Sequence, residues 1–204
     1  MQNKLGKITE VKELSDNPDL PPGQFVTEKF PALTAVPAPE ININNWLLTV
    51  FGLVNEELKF NWNQFMNLPQ VTIEAPFHCV TQWSNLNNTW TGVLFSEINK
   101  LFKCKPQGKF AMIHSYGGYT TNLLLENLQE SNVIFAHSHN GKPLNEVHGG
   151  PLRLVVPKFY GWKSAKWVNG IEIMEQNKPG FWEERGYHMQ GDPWNEERFW
   201  PDIC

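Results

Sequence analysis

The chain of 204 residues has only three cysteines, Cys79, Cys104 and Cys204, far apart and in no CxxC pair. An odd, scattered set excludes a disulfide framework and a four-cysteine metal site, and it fits a reducing compartment. No apolar run approaches the roughly 20 residues that a membrane-spanning helix needs. The opening stretch MQNKLGKITEVKELSDNPDLPPGQ has neither the apolar core of a secretion signal nor a twin arginine. These absences set the expectation of a cytoplasmic protein without a membrane span. A basic tail or stripe is missing too. Lys and Arg number 17 against 21 Asp and Glu, for a net charge of -4, which speaks against a nucleic-acid partner. No GxGxxG, GxxxxGK(S/T) or CxxCH occurs, so nicotinamide, nucleoside triphosphate and c-type haem lack a motif.

What the chain does have is aromatics and turn formers. It carries 9 Trp and 13 Phe beside 15 Pro and 15 Gly, at 41% hydrophobic and 19% charged residues. That balance predicts a loop-rich α+β or mostly-β fold rather than a helical bundle. Residues 1–24 read as an extended lead-in and 25–204 as one α+β domain. FVTEKFPALTAVPAPEI reads as irregular chain draped over a core, because its prolines cannot donate to a ladder. NNWLLTVFGLV (44–54) reads as a strand. After it comes a short strand, then Asn61 as N-cap of a short helix closing near Pro69. QVTIEAPF (70–77) reads as a strand leading into Cys79. FSEINKLFK has helical spacing, and LLENLQE reads as a second short helix. Two strands are expected to meet at Gly117-Gly118, and a hairpin turn is expected at Asn140-Gly141. PLRLVVP and AKWVNGIEIME read as further strands.

Three groups of residues could carry chemistry. Cys79, in FHCVTQWSNLNNTWTG, follows a strand and opens a polar loop flanked by Trp83 and Trp90. A lone cysteine is usually core filler, yet a thiolate is also a nucleophile and a soft metal ligand. His78 is its neighbour, but adjacent residues of an extended chain face opposite ways, so His78 is no ready base for a Cys–His hydrolase. His137 and His139 share a face, and His114 could join them in a zinc or copper site; ordinary surface histidines explain them better. VHGGPLRLVVP combines Gly149-Gly150 with Arg153, which inside an apolar strand needs an anion. YGWKSAKW adds Lys163, Ser164 and Lys166 in a turn, so the two segments together could hold a phosphate without a P-loop. An ordinary basic surface loop is the equal alternative on chemistry alone.

In order, FHCVTQWS…TWTGVLFSEI, AHSHNGKPL…HGGPLRLVVPKFYGWKSAKWVNGIEI and PGFWEERGYHMQGDPW resemble the oxidoreductase molybdopterin-binding domain. Sulfite oxidase, plant-type nitrate reductase and the bacterial protein-methionine-sulfoxide reductase catalytic subunit share that domain. The chain is most similar to its small stand-alone branch, the sulfite oxidase-like oxidoreductases, from about Gly23 onward. The resemblance implies the sulfite oxidase-type fold, α+β with mixed sheets and short helices, and the molybdenum–molybdopterin cofactor. By position it implies that Cys79 binds molybdenum and that Ser115, His148, Arg153, Ser164, Ala165 and Lys166 bind the pterin and its phosphate. Tyr187 and His188 match a late segment lining the metal pocket. The implied activity is oxygen-atom transfer to or from a small sulfoxide, N-oxide or sulfur oxyanion, with electrons exchanged with a separate partner protein. FVTEKFPALTAVPAP lacks the arginine that sulfite oxidases carry there, which weighs against sulfite. A non-catalytic molybdopterin carrier and a metal-free Cys–His hydrolase are the rival expectations.

Overall fold

A computed structural model describes residues 18–200, so residues 1–17 of the expected lead-in lie outside the described residues. Short strands dominate and sort into three sheets. The smallest joins β1 (Phe25–Val26), β5 (Phe77–His78) and β6 (Trp83–Asn85), with β6 parallel to β1 and antiparallel to β5. A second sheet holds β2 (Leu47–Gly52), β3 (Leu58–Asn61), β8 (Phe110–Ser115), β9 (Thr120–Leu124) and β13 (Val168–Met174). Its order is β3-β2-β13-β8-β9, and the parallel β2–β13 pair makes it mixed. The third sheet is antiparallel and holds β4 (Val71–Glu74), β7 (Thr89–Leu94), β10 (Ile134–His139), β11 (Lys142–Pro143) and β12 (Arg153–Val155), with β10 at its centre. Three short helices, α1 (Trp62–Met66), α2 (Phe95–Asn99) and α3 (Leu125–Leu128), fill the connections.

Local chemistry explains the boundaries. Asn61 caps α1 through a capping box: its side chain accepts from Gln64 N at 2.9 Å, and Gln64 Oε1 accepts from Asn61 N at 2.9 Å. Asn140 (φ 49°) and Gly141 (φ 73°) make the two-residue turn between β10 and β11, where both residues need positive φ. The strand expected over residues 70–77 is two strands in different sheets. Pro76 offers no N–H to a ladder, so pairing stops after Glu74 and resumes at Phe77 on another partner. That break aims the chain at Cys79.

The main core draws Leu48, Val50, Ile113, Ile171 and Ile173 from the mixed sheet and Val93, Phe135 and Leu154 from the antiparallel one. The two sheets therefore share one interior, and each fully buried aliphatic side chain there contributes about 1.5–3 kcal/mol. Because strand side chains alternate, the other face of the antiparallel sheet offers Trp90, Ile134, Ala136 and Val155. Phe77, Cys79 and Trp83 pack on that second face. The small sheet thus lies as an outer layer, and Cys79 sits at its edge.

Candidate active site

Cys79 follows β5 directly. A tight turn holds it, with Cys79 N donating to Trp83 O at 2.8 Å and Gln82 N donating to Cys79 O at 3.0 Å. Its Sγ lies 3.1 Å from Thr81 Oγ1, the one hydrogen-bond partner it has among the described residues. His78 points the other way, as extended backbone requires. Its Nδ1 lies 2.8 Å from Ser84 Oγ, and Ser84 Oγ donates to Gln24 Oε1 at 3.2 Å. Ser84's proton is thereby committed, so His78 Nδ1 carries the hydrogen of that bond. Burial pushes the His78 pKa down to about 4. Gln24 Nε2 returns to Cys79 O at 3.2 Å, which fixes the cysteine's backbone through a side-chain chain rather than supplying a base.

Cys79 opens into a cavity of about 240 Å³. Its walls bring together residues that lie far apart in the chain: Cys79, His148, Arg153, Ser164, Ala165, Lys166 and Tyr187. Ser115 and His188 are not among its lining residues. Ser115 ends β8 opposite Val168, with its hydroxyl buried and without a partner. His188 Nδ1 accepts from Gln190 N and Gly191 N at 3.2 Å each and lies 3.2 Å from Glu197 Oε2.

Arg153 is the most telling wall residue. It is 1% exposed, makes no ion pair among the described residues, and lies 5.2 to 5.8 Å from the ring centroids of Phe30, Phe77 and Trp90. It donates to His148 O at 3.0 Å and Ser164 O at 3.2 Å, while its Nε has no partner. Burial pulls its pKa down to about 9, which leaves it cationic at neutral pH. Lys166 donates to Leu33 O at 2.9 Å and Val147 O at 2.7 Å. Its pKa falls to about 8, chiefly through burial, with Arg153 lowering it further and Cys79 opposing. The N–H groups of Ala165 and Lys166 donate to no described residue. Among the described residues no carboxylate lines the cavity. One buried and one half-buried cation, two idle backbone donors and no acid make a pocket for an anion.

Several expectations need correction in their reasons. Gly149 and Gly150 do not line the cavity. Gly149 has φ +102°, and a Cβ there would meet Lys166 Cβ at 3.0 Å and Arg153 Cβ at 3.1 Å. The glycine makes room for the two cations, not for a ligand. The Ser164 hydroxyl accepts from Val156 N at 3.0 Å, so this residue faces the cavity with its backbone. Lys163 turns away from the cavity into a buried ion pair with Glu183 at 2.5 Å. His114 lies in the mixed sheet and pairs with Glu172 at 3.0 Å, whereas His137 and His139 belong to the antiparallel sheet. The draped segment does more than expected: Phe30, Pro31, Leu33, Thr34, Ala35 and Val36 form one whole wall. Only its proline spacing hinted at it, and that gave no side-chain direction.

No cluster of three or more His, Cys, Asp or Glu able to hold a metal occurs among the described residues. Cys79 offers one thiolate, and a single protein ligand suits a metal that arrives with ligands of its own. A lone thiol and an anion pocket in one cavity suit a cofactor with a metal at one end and an anion at the other. The chain belongs to the oxidoreductase molybdopterin binding domain family, which it matches over residues 35–182. It is 41% identical over 181 residues to the oxidoreductase YuiH of Bacillus subtilis (strain 168), covering 88% of this chain and 91% of that one. It is 24% identical over 189 residues to the sulfite oxidase of Arabidopsis thaliana, covering 75% of this chain and 48% of that protein. Its fold is similar to the sulfane dehydrogenase SoxCD from Paracoccus pantotrophus, with TM-score 0.62 and 25% identity over 68% of this chain and 40% of that one. The protein is a molybdopterin-dependent oxidoreductase with the sulfite oxidase-type fold. The unpaired Arg153, the idle donors of the 164–166 turn and the lone Cys79 thiol fit that cofactor. No helix among the described residues is long and apolar enough to cross a membrane.

Proposed function

We propose that the cavity carries out oxygen-atom transfer to or from a small sulfoxide, N-oxide or sulfur oxyanion, at molybdenum held by Cys79. The observation that carries this reading is Arg153, a buried cation without a carboxylate, in the same cavity as Cys79. Arg153, Lys166 and the Ala165 and Lys166 N–H groups would hold the pterin phosphate, as charge-assisted donors do. His148 would flank the pterin. When bound, the cofactor supplies two-electron redox chemistry, and the protein supplies orientation and electrostatics.

The chain's own residues prepare the substrate end. Phe30, Trp83, Trp162 and Trp182 wall the cavity and exclude water. Burial first, and then Cys79 beside it, raise the Tyr187 pKa, so its phenol stays protonated at neutral pH. Its Oη–H is then a donor for a substrate oxygen. Ser115 and His188 do not line the cavity and would act on it through lining neighbours, Tyr119, whose carbonyl accepts from Ser115 N at 3.0 Å, and Tyr187. The sequence carries no motif for c-type haem or a nicotinamide, so electrons would be exchanged with a separate carrier. The same proposal takes residues 25–204 as one domain and places it in the cytoplasm, where the free thiols of Cys79 and Cys104 would stay reduced.

The test is metal and pterin analysis of protein made in a host that assembles molybdopterin. Wild type should carry both, and Cys79→Ser should lose the molybdenum–thiolate absorption. Wild type without molybdenum, or a Cys79→Ser variant with an unchanged thiolate band, would overturn the proposal. Bound cofactor with no turnover of any sulfoxide, N-oxide or oxyanion would mark a carrier instead.

A further inference from the structure

Lys163 sits between cavity residues Trp162 and Ser164, yet its side chain is fully buried on the far side of the turn. Its Nζ meets four acceptors: Asn122 O at 2.9 Å, Asn122 Oδ1 at 2.9 Å, Met189 O at 2.7 Å and Glu183 Oε1 at 2.5 Å. Glu183, 3% exposed, takes two more donors on the same oxygen, Trp162 Nε1 at 3.0 Å and Thr121 Oγ1 at 3.1 Å. Its Oε2 has no partner. Gly180 leaves space for this carboxylate, since a Cβ there would lie 2.8 Å from Oε2 and 2.7 Å from Thr120 O. One buried oxygen therefore gathers β9, the 161–166 turn and the segment carrying Trp182 and Tyr187. The Trp162 ring, aimed by that oxygen, meets Tyr187 edge-on at 5.1 Å and stacks on Tyr160 at 5.4 Å.

A buried ion pair is a weak source of stability, because desolvation offsets its Coulomb attraction and apolar replacements of like volume are often neutral. Its geometry, in contrast, is specific. We infer that Glu183 is a positioning residue, with Lys163 as its buried counter-ion: through the Glu183 Oε1 to Trp162 Nε1 hydrogen bond it sets the indole wall of the cavity and, with it, the turn that holds the cofactor. The inference rests on the proposal that molybdopterin occupies this cavity. Neither residue touches that cofactor; each acts through Trp162 and the turn.

The test compares two neutral pairs in the purified holoprotein. Lys163→Met with Glu183→Gln removes both charges and keeps an amide oxygen for Trp162 Nε1. Lys163→Met with Glu183→Leu removes charges and acceptor together. The readouts are the rate of pterin loss, followed by fluorescence of the released pterin, and the melting temperature of the cofactor-free protein. The Gln pair should retain pterin like wild type, and the Leu pair should lose it roughly tenfold faster, as when the outer support of a metal site is removed. Trp162→Phe, which lacks the indole donor and leaves the ion pair whole, should behave like the Leu pair and supplies the same readout if that pair does not fold. Equal loss from the Gln and Leu pairs, wild-type retention by Trp162→Phe, or loss that follows melting temperature across the set would overturn the inference. A wild type that carries no pterin would instead sink the proposed function, so the two failures are distinct.

Discussion

The Arg153 guanidinium lies 5.4 Å from the centroid of the Trp90 ring, in a residue 1% exposed, with carbonyl oxygens as its only hydrogen-bond partners among the described residues. A cation so placed gives up hydration and gains no counter-ion within the described residues. Arg153→Met relieves that desolvation and leaves His148 O and Ser164 O without a donor. Each effect is on the order of 1–3 kcal/mol, and they oppose. Cofactor-free Arg153→Met should therefore melt close to wild type, while its retention of pterin falls at least tenfold. Thermal denaturation and pterin fluorescence check the two sides. Parallel loss of stability and retention would mean that the arginine serves the fold.

The Asn61 cap offers a test remote from the cavity. Asn61→Ala removes the acceptor for Gln64 N and half of the capping box. Stability should fall by about 1 kcal/mol, read from urea unfolding, with pterin content unchanged. A loss of pterin would show that α1, none of whose residues lines the cavity, is nevertheless coupled to the site.

Local chemistry made the elements legible. Asn61, Asn140-Gly141 and the aromatic and β-branched stretch NNWLLTVFGLV each announce their structure within a few residues. The site was legible differently. Cys79, Arg153 and Ser164 to Lys166 were picked out singly by residue type and together only by resemblance, because nothing local says that residue 79 meets residue 153. Side-chain direction stayed hidden. Lys163 and Lys166 look alike in YGWKSAKW, yet the 3-10 turn at Gly161–Lys163 sends one to Glu183 and the other to the cavity. The wall from Phe30 to Val36 has no period to read, since irregular chain takes its shape from what it covers. Pro76 interrupts an otherwise regular strand pattern, and only the partners on either side of it, β7 before and β6 after, show that it divides two sheets.

Folding stability should depend on pH through His139. Its Nε2 donates to Asn88 Oδ1 at 2.8 Å, because the Asn88 amide nitrogen is already committed to Asn85 O at 2.9 Å. Its ring stacks on Trp90 with centroids 4.3 Å apart. Burial first, then the charges of Arg153 and His148, lower its pKa from 6.5 to about 4. Between those values the unfolded chain binds a proton that the folded chain refuses, so stability is full above pH 6.5 and declines as pH falls toward 4. One such group contributes a slope of at most about 1.4 kcal/mol per pH unit, and less here because the ring is only half-buried. His78 adds in the same direction. Melting curves between pH 7 and pH 4 should therefore flatten, without becoming level, in His139→Gln, whose amide can still donate to Asn88. An unchanged slope would remove His139 from the account.

Cofactor loading should carry the opposite dependence through Lys166. Burial lowers its folded pKa from 10.5 to about 8, so the ammonium is present at pH 7 and is lost as pH rises through 8. A phosphate bound beside Nζ favours the charged form and raises that pKa. Binding therefore takes up a proton above pH 8, and affinity should fall there by up to about tenfold per pH unit. The measurement is reconstitution of cofactor-free protein with molybdopterin at pH 7, 8 and 8.5; Arg153, with a pKa of about 9, begins to titrate at the upper end, so the comparison with Lys166→Met isolates the lysine. Lys166→Met should bind more weakly at pH 7 and show a shallower decline above it. Lys163, with a pKa also lowered to about 8, provides the control because its ammonium faces Glu183 and not the cavity. Lys163→Met with Glu183→Gln should keep the full decline. If that pair loses the decline and Lys166→Met keeps it, the phosphate is read by the wrong lysine in this account.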